Sequence, residues 1–323
     1  MLSPMSVIQA FGAYLPAQVV TNEQLAGQLN CTPEWIREVS GIEERRYAEP
    51  EESIAAMGVA AAQQCLKRAD SSASDIGMLI VSSGSTDRRF PGPASVIAHG
   101  LNATAAPAID LPIASAGGLF AMALAARLTQ SYGNILVIAA EKMSAIVSRE
   151  PLERAVAPLF GDGAGACLIG PGEDGARILD TVLHSDGAFA DDLSLAFDAP
   201  LVMNGRSVIL QASRKIPAAI GELLEKNRRQ AAEVKIFLMH QANQNLMDRV
   251  ARAMAVQPEK FYSNIGRYGN TSSASMLIAA DEWWRSPGPQ PGDLICFAAF
   301  GAGYHWGALL CGTDIPVRVS PDP

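Results

Sequence analysis

The segment Ala108–Phe120, AIDLPIASAGGLF, combines a short strand, a tight turn and the start of a helix, and a similar pattern occurs again later in the chain. The helix that follows Ser115 has a counterpart that begins near Ser273, 158 residues further on. The apolar strands Ile76–Val81 and Val234–Met239 stand at the same separation. Recurrence at one offset predicts that a half-domain has been duplicated, on a longer scale than solenoid repeats.

Two further strand pairs support the duplication. Asn134–Ala140 has a counterpart in Asp293–Ala299, and Ala166–Gly170 resembles Ala308–Gly312 at a shorter offset, which predicts a loop of different length. The alternative is that apolar strands resemble one another by chance. Strands that alternate with helices indicate the α/β class.

The helices between these strands have identifiable starts. Ser53 is expected to cap a helix over Ile54–Arg68, and Ser207 is expected to start one over Val208–Asn227. The segment Ser185–Ala199 is polar and rich in Asp, so we expect it to form a lid or the rim of a pocket.

Composition limits the classes of protein that fit. A chain of 323 residues forms one large domain or two fused ones, and 49% hydrophobic residues suffice for a sizeable core. The net charge of −8 is not concentrated in a block, which argues against nucleic acids and membranes as partners. An acidic ligand held by a local group of arginines is still compatible with this charge.

The five cysteines predict a reducing environment. They are odd in number, and no two have Cys-x-x-Cys spacing, so buried free thiols are expected rather than a disulfide framework. The first twenty residues contain no Lys or Arg for a signal peptide, and the apolar runs fall short of the roughly 20 residues that span a bilayer. We therefore expect a cytoplasmic soluble protein.

Ser115 is the candidate nucleophile. A residue at a helix N-terminus faces unpaired backbone N–H groups and the positive end of the helix dipole. A thiolate gains much from this position, whereas a serine needs a base to become reactive. The simpler interpretation is an ordinary capping serine. A serine hydrolase is less favoured, because Ile113 replaces the first glycine of Gly-x-Ser-x-Gly.

His240 and Asn270 are the candidate hydrogen-bond donors. His240 ends an apolar strand, and Asn270 lies in Gly-Asn-Thr-Ser, at the counterpart of the Ser115 turn. Two neutral donors that point at one oxygen stabilise an enolate or oxyanion by a few kcal/mol each. The alternative roles are a structural histidine and a turn asparagine.

The glycine clusters predict turns rather than cofactor sites. The sequence from Phe160 to Gly165 lacks the Lys-Ser/Thr of a phosphate-binding loop, and Gly303 is expected to bring a backbone N–H to the site. No His, Cys and Asp cluster has metal-ligand spacing, so no metal is predicted.

From about Gly12 to Gly312 the chain resembles the ketoacyl synthase III enzymes of the thiolase superfamily, which start fatty acid or polyketide chains. The segments that carry the resemblance occur in the family's order. They are Trp35-Ile36 through Gly41–Arg45, Phe90-Pro91, Asp110–Gly117, Phe160–Gly165, His184–Gly187, Met203–Val208, His240–Asn243, Gly269–Ser272 and Phe300–Gly307. The resemblance implies a thiolase-like five-layered α/β fold from two similar halves, which we divide at 1–172 and 173–323.

The resemblance also implies a two-step reaction and a set of roles. An acyl group moves from coenzyme A to the nucleophile, and malonyl on acyl carrier protein loses CO2 and attacks it; no cofactor takes part. By position, Ser115 is the nucleophile, His240 and Asn270 polarise the malonyl thioester carbonyl, and the N–H groups of Ser115 and Gly303 form the oxyanion hole. The implied substrate-binding residues are Trp35, Arg154, Asn243, Arg206 and Phe90, of which Phe90 reaches across a homodimer.

Three positions depart from the family pattern. Val39 replaces an arginine beside the adenine, and Arg206 replaces an asparagine that contacts the pantetheine arm, so a carrier-protein donor competes with CoA. Ser115 replaces the cysteine nucleophile, either naturally or through an engineered change. Three functions stay open: an acyltransferase, a non-catalytic or impaired protein of the same fold, and a serine hydrolase.

Overall fold

The computed structural model describes residues 6–149, 152–196 and 199–313. In these ranges the strands are β1 Ser6–Tyr14, β2 Gln18–Thr21, β3 Glu44–Tyr47, β4 Ile76–Ser82, β5 Ala108–Leu111, β6 Asn134–Lys142, β7 Asp162–Pro171, β8 Ala176–Ser185, β9 Leu193–Ser194, β10 Val202–Met203, β11 Val234–Met239, β12 Leu294–Gly301 and β13 His305–Gly312. The α-helices are α1 Asn22–Ala26, α2 Pro33–Ser40, α3 Ile54–Arg68, α4 Pro93–Gly100, α5 Gly117–Tyr132, α6 Ser144–Val147, α7 Gly205–Lys226, α8 Gln244–Ala253, α9 Ile265–Tyr268 and α10 Ser275–Arg285.

The main sheet repeats its topology in the two halves of the chain. Its order is β11-β12-β13-β8-β1-β7-β6-β4-β5. In one half β4 runs parallel to β6 and β6 antiparallel to β7; in the other, β11 runs parallel to β12 and β12 antiparallel to β13. The strand pairs inferred from the sequence thus occupy equivalent places, and the predicted fold class is confirmed.

The helices form three layers around the two halves of the sheet. Helices α3 and α4 cover the first half, α7 and α8 cover the second, and α5 and α10 pack between them. Strands covered on both faces are expected to be apolar along their length. In agreement with this, seven consecutive residues of the nine in β6 are buried. The result is five layers, α-β-α-β-α.

Local details agree in part with the sequence. Ser53 caps α3, and its Oγ accepts from the N–H of Ala56. The predicted start at Ser207 is wrong: α7 begins at Gly205 and is capped by Asn204, whose side chain accepts from the Ser207 N–H. Asn204, about one helical turn before Ser207, caps the helix in the way that was expected of Ser207, and the backbone is helical from Gly205 onward.

The proposed division at residue 172 falls in the turn between β7 and β8. Those strands belong to one continuous sheet, and a shared apolar core contains residues of both halves. The exact division therefore remains a prediction. The lid segment contains β9 and a short 3-10 helix, Gly187–Asp192; residues 197 and 198 lie outside the described residues.

Candidate active site

Ser115, His240 and Asn270 line one cavity of about 580 Å³. Ser115 lies in the turn between β5 and α5, His240 directly follows β11, and Asn270 lies between α9 and α10. Two of these positions belong to one half of the chain and one to the other. The duplicated topology therefore brings together side chains that are far apart in sequence.

Ser115 has an uncommon backbone conformation. Its φ is +63°, in the left-handed region, where a non-glycine residue is at a disadvantage. Gly301 packs against this turn so closely that a Cβ on it would lie 2.2 Å from the Ala114 carbonyl oxygen and 3.0 Å from the Ser115 Cβ. The Ser115 N–H donates to Ser272 Oγ at 3.0 Å. Packing from the opposite half thus fixes the turn.

His240 is buried and neutral at ordinary pH. The residue is 3% exposed, and desolvation lowers its pKa to about 4. Its Nδ1 lies 2.6 Å from the Ser275 Oγ, and the same oxygen accepts from the Gln241 N–H at 3.0 Å. Ser275 can donate its own proton to Nδ1, and we assign the tautomer in which the proton of the imidazole lies on Nε2, toward the cavity.

Asn270 is oriented by its backbone and by one side-chain bond. Its N–H donates to the Leu159 carbonyl at 2.9 Å, and its carbonyl accepts from the Gly161 N–H at 3.1 Å. Its Oδ1 accepts from the Ser272 N–H at 2.9 Å. The amide oxygen is therefore occupied, and Nδ2 is the group left to donate to a ligand.

Glu141 is a structural centre of the site that the sequence did not single out. It is fully buried at the end of β6 and accepts from the Ser85 Oγ at 2.5 Å, from the Ser273 Oγ at 2.6 Å and from the Gly84 N–H at 3.0 Å. It thus joins the segment after β4 to the turn that holds Asn270. A Glu after an apolar strand is a faint signal, and only its burial makes it distinctive.

The turn Ala302–Tyr304 forms the wall beside Ser115. Ala302 and Gly303 both line the cavity, and Gly303 has a φ of +72°, which favours glycine. His305, which follows this turn, also lines the cavity, and burial lowers its pKa. The sequence placed His305 in a glycine-rich segment without giving it a function.

Apolar side chains form much of the remaining wall. One group lies in α6, in the segment after it and around β9 and β10, and another lies in α7 and α8. The members are Ile146, Phe160, Leu193, Leu201 and Met203 in the first group, and Val208, Ile209, Ala212, Ile216 and Leu246 in the second. An apolar cavity of this size accommodates an acyl chain or the arm of a thioester.

The predicted substrate-binding residues do not all meet in this cavity. Asn243 lines it; its Nδ2 donates to the Val39 carbonyl at 2.7 Å, and its Oδ1 caps α8. Trp35 and Arg154 lie outside the cavity wall and stack on one another, with the guanidinium carbon 4.3 Å from the ring centroid. Arg206 is exposed in the first turn of α7.

Phe90 lies outside the cavity wall as well, in the segment before α4, and it is 84% exposed. The glycine cluster from Phe160 to Gly165 leads into β7, and a Cβ on Gly161, directly before the strand, would lie 2.3 Å from the Tyr268 carbonyl oxygen. This agrees with the expected close approach of backbones. In the described ranges, no group of three or more His, Cys, Asp or Glu could hold a metal ion.

A mixed sheet in two similar halves, with a strained turn at the start of a central helix, is the thiolase-like fold found in acyl-transferring, condensing enzymes. Two family models match the chain, 3-oxoacyl-[acyl-carrier-protein] synthase III over residues 109–187 and the C-terminal part of that synthase over residues 224–312. The chain belongs to the 3-oxoacyl-[acyl-carrier-protein] synthase III family. Enzymes of this family act without a cofactor.

Similarity to individual relatives extends over nearly the whole chain. The beta-ketoacyl-[acyl-carrier-protein] synthase III of Acidiphilium cryptum is 35% identical over 316 residues, 94% of this chain and 98% of that protein. The crystal structure of 3-oxoacyl-[acyl-carrier-protein] synthase III from Aquifex aeolicus has a TM-score of 0.91 at 35% identity and covers 95% of this chain and 99% of its own. The priming beta-ketosynthase of the R1128 polyketide pathway has a TM-score of 0.89 at 31% identity, with 97% and 98% covered. The predicted family is thus confirmed.

None of the helices in the described ranges has both the length and the apolar character that a membrane span requires.

Proposed function

We propose that this protein takes an acyl group from a thioester of CoA or of acyl carrier protein onto Ser115 and passes it to an acceptor. The observation that supports this most is the position of Ser115. It lies in a strained turn at the start of α5, in the same cavity as His240 and Asn270. Strained backbone at a helix N-terminus is typical of functional sites.

His240 and Asn270 act as neutral donors toward a thioester carbonyl. Each has its other polar side-chain atom occupied, Nδ1 of His240 by Ser275 and Oδ1 of Asn270 by Ser272. Two such donors stabilise the enolate that forms when a malonyl thioester loses CO2. In the condensing reaction the pair serves decarboxylation of a malonyl acceptor, and in every reaction proposed here Ser115 serves acyl transfer from the donor.

The oxyanion of the acyl-transfer step is assigned to the backbone N–H groups of Ser115 and Gly303. The Ser115 N–H already donates to Ser272 Oγ. The Ser115 N–H therefore becomes available to an oxyanion only when the Ser272 hydroxyl moves away from it. Ser272 also lines the cavity, so an incoming carbonyl oxygen can displace it.

The serine favours acyl transfer over carbon–carbon condensation. An acyl-serine is an oxygen ester, which is less electrophilic toward a carbanion than a thioester. A serine hydroxyl also stays protonated near neutral pH without a base. We infer transfer to a hydroxyl, amine or thiol acceptor as the faster reaction, with condensation against malonyl-carrier protein as the slower one.

The donor site is assigned to Asn243, which lines the cavity, and to Trp35, Arg154 and Arg206, which lie outside the cavity wall. Trp35 and Arg154 offer a flat aromatic and a cation for the adenine and phosphates of CoA, Asn243 lies where the pantetheine arm would enter, and Arg206 adds a second exposed cation. In the free chain Arg154 covers the face of Trp35. An adenine has to displace it, whereas a carrier-protein donor does not.

Intact mass measurement after incubation with acyl-CoA or acyl-carrier protein tests the proposal. We expect an increase in mass by one acyl group in the parent and none in Ser115→Ala, which differs only at the nucleophile. A stable adduct supports the acyltransferase, and the donor that forms it faster identifies the substrate. No adduct from either donor favours the non-catalytic protein, and an adduct that water removes within minutes favours the hydrolase.

We also propose a cytoplasmic homodimer. Strand β5 is at the edge of the main sheet, and Phe90, Val96 and Ile109 expose apolar surface on or near it. An uncovered edge strand with apolar neighbours favours pairing with a second copy, and obligate dimers commonly bury above ~2,000 Å². The five free cysteines fit a reducing compartment. Light scattering that gives a monomer mass at micromolar concentration would contradict the dimer.

A further inference from the structure

The proposed acyl transfer needs a group that takes the proton of Ser115, and His240 is poorly suited to that task. In the tautomer assigned above, Ser275 donates to Nδ1 and the imidazole proton lies on Nε2, so neither ring nitrogen has a free lone pair to accept the Ser115 proton. No hydrogen bond joins the Ser115 hydroxyl to another residue in the described part of the chain. A second basic group near Ser115 is therefore required.

His305 lies close to Ser115 on the same side of the sheet. In the β12–β13 hairpin it is directly opposite Gly301, and side chains of opposed residues point to the same face with Cβ atoms about 4.5–5.5 Å apart. A Cβ on Gly301 would lie 3.0 Å from the Ser115 Cβ. The Cβ atoms of Ser115 and His305 are thus within about 8.5 Å of each other, as the sum of these two separations.

The ring of His305 points toward the candidate oxyanion hole. Its Nε2 lies 2.7 Å from the place that a Cβ on Gly303 would occupy, so the ring packs against the turn beside Ser115. His305, Gly303 and Ser115 all line the same cavity. The ring also makes an edge contact with Phe120 of α5, the helix that Ser115 precedes, with 5.4 Å between centroids.

The other ring nitrogen is held by a serine at the end of β8. The Nδ1 of His305 and the Oγ of Ser185 lie 2.6 Å apart. When Nδ1 carries the proton and donates it to Ser185, the lone pair of the imidazole is on Nε2. This arrangement is the reverse of that at His240, where a serine donates to Nδ1.

We propose that His305 is a second catalytic histidine of this site, which accepts the Ser115 proton directly or through one water molecule, with Ser185 as its positioning residue. In the step, the Oγ–H bond breaks and the proton moves to Nε2 while Oγ bonds to the acyl carbon. The carbon–sulfur bond then breaks, and the leaving thiolate takes the proton from Nε2. This inference rests on the proposed acylation of Ser115.

The test compares acylation rates of His305→Gln in two backgrounds, the parent and Ser115→Cys, by quenched time points and intact mass with the acyl donor that the parent accepts. We expect His305→Gln to slow acylation of Ser115 by roughly 100-fold to 10,000-fold. In the Ser115→Cys background we expect a loss of no more than about tenfold, because the helix N-terminus stabilises a thiolate without a base. His99→Gln, on the exposed end of α4, is the matched control and should keep the parent rate.

Ser185→Ala keeps the imidazole and removes only its partner, so it tests the proposal with little risk to folding. We expect the acylation rate to fall roughly tenfold in the parent and to stay unchanged in the Ser115→Cys background, in line with a general-base contribution. Equal losses in both backgrounds would show that His305 acts structurally and would overturn the proposal, as would an unchanged rate in His305→Gln. If the parent forms no adduct with any donor, the proposed function fails and this inference fails with it.

Discussion

The buried imidazole of His240 predicts a specific loss of stability in acid. The pKa of a histidine in the unfolded chain is about 6.5, and burial lowers that of His240 to about 4. Between these values the unfolded chain binds a proton that the folded chain does not, so the free energy of unfolding rises with pH across this window. On going from pH 7 to pH 4.5, the folded state should lose about 2 kcal/mol through this residue alone.

The measurement is urea unfolding of the parent and of His240→Gln at pH 7 and pH 4.5, at one chain concentration. Other groups also destabilise the fold in acid, because hydrogen bonds to Lys215 and to Ser207 lower the pKa values of Asp186 and Asp192, respectively. Both aspartates remain in the variant, so the difference between the two proteins isolates His240. The parent should lose about 2 kcal/mol more than the variant. Equal losses in the two proteins would refute the claim that the folded state holds this ring neutral.

Four further changes test other parts of the site. Ser115→Cys should raise condensation with malonyl-carrier protein at least roughly tenfold, since a thiolate is more nucleophilic and a thioester more electrophilic; an equal or lower rate in a condensation assay would contradict this. Gly301→Ala should lower the free energy of unfolding by about 1–3 kcal/mol and abolish acylation of Ser115, because the new methyl group meets the Ala114 carbonyl; denaturation and mass measurements check both. Glu141→Ala should destabilise the protein by at least about 2 kcal/mol in urea, because buried donors lose their acceptor. Phe90→Ala should change acyl-chain preference in a competition assay more than it changes the melting temperature, and an unaltered preference would argue against a cross-dimer contact.

The sequence predicted the fold because its evidence is local and repeated. Runs such as Ile76–Val81 and Val234–Met239 are apolar apart from the exposed Lys235, in line with strands that are covered on both faces. Their equal offset from the Ser115 and Ser273 turns indicated the duplication, and the topology of β4, β6, β11 and β12 agrees with it. Boundaries were less certain, since Asn204 and Ser207 are both good caps and only the backbone conformation distinguishes them.

The sequence also predicted that Ser115, His240 and Asn270 share one cavity, because each lies at the end of a strand or beside a helix start in equivalent places, and the three do line one cavity. Side-chain type and position suggested a nucleophile and two donors. The conformation of Ser115, with a φ of +63°, could not be predicted, because a serine rarely adopts it unless tertiary packing holds it there. The packing comes from the backbone of Gly301, which lies against this turn and is 186 residues further along the chain.

Long-range packing alone decided the protonation states and the partners. The sequence does not show that Ser275 faces Nδ1 of His240, that Ser185 faces Nδ1 of His305, or that Glu141 collects donors from both halves. These contacts join residues 35 to 132 positions apart. The contact of Glu141 with Ser273 joins the two halves, and the two histidine contacts join distant segments of the second half. Periodicity and local propensity specify which segments become strands and helices. The reactivity of the side chains depends on burial and hydrogen-bond partners, which exist only after the layers have packed.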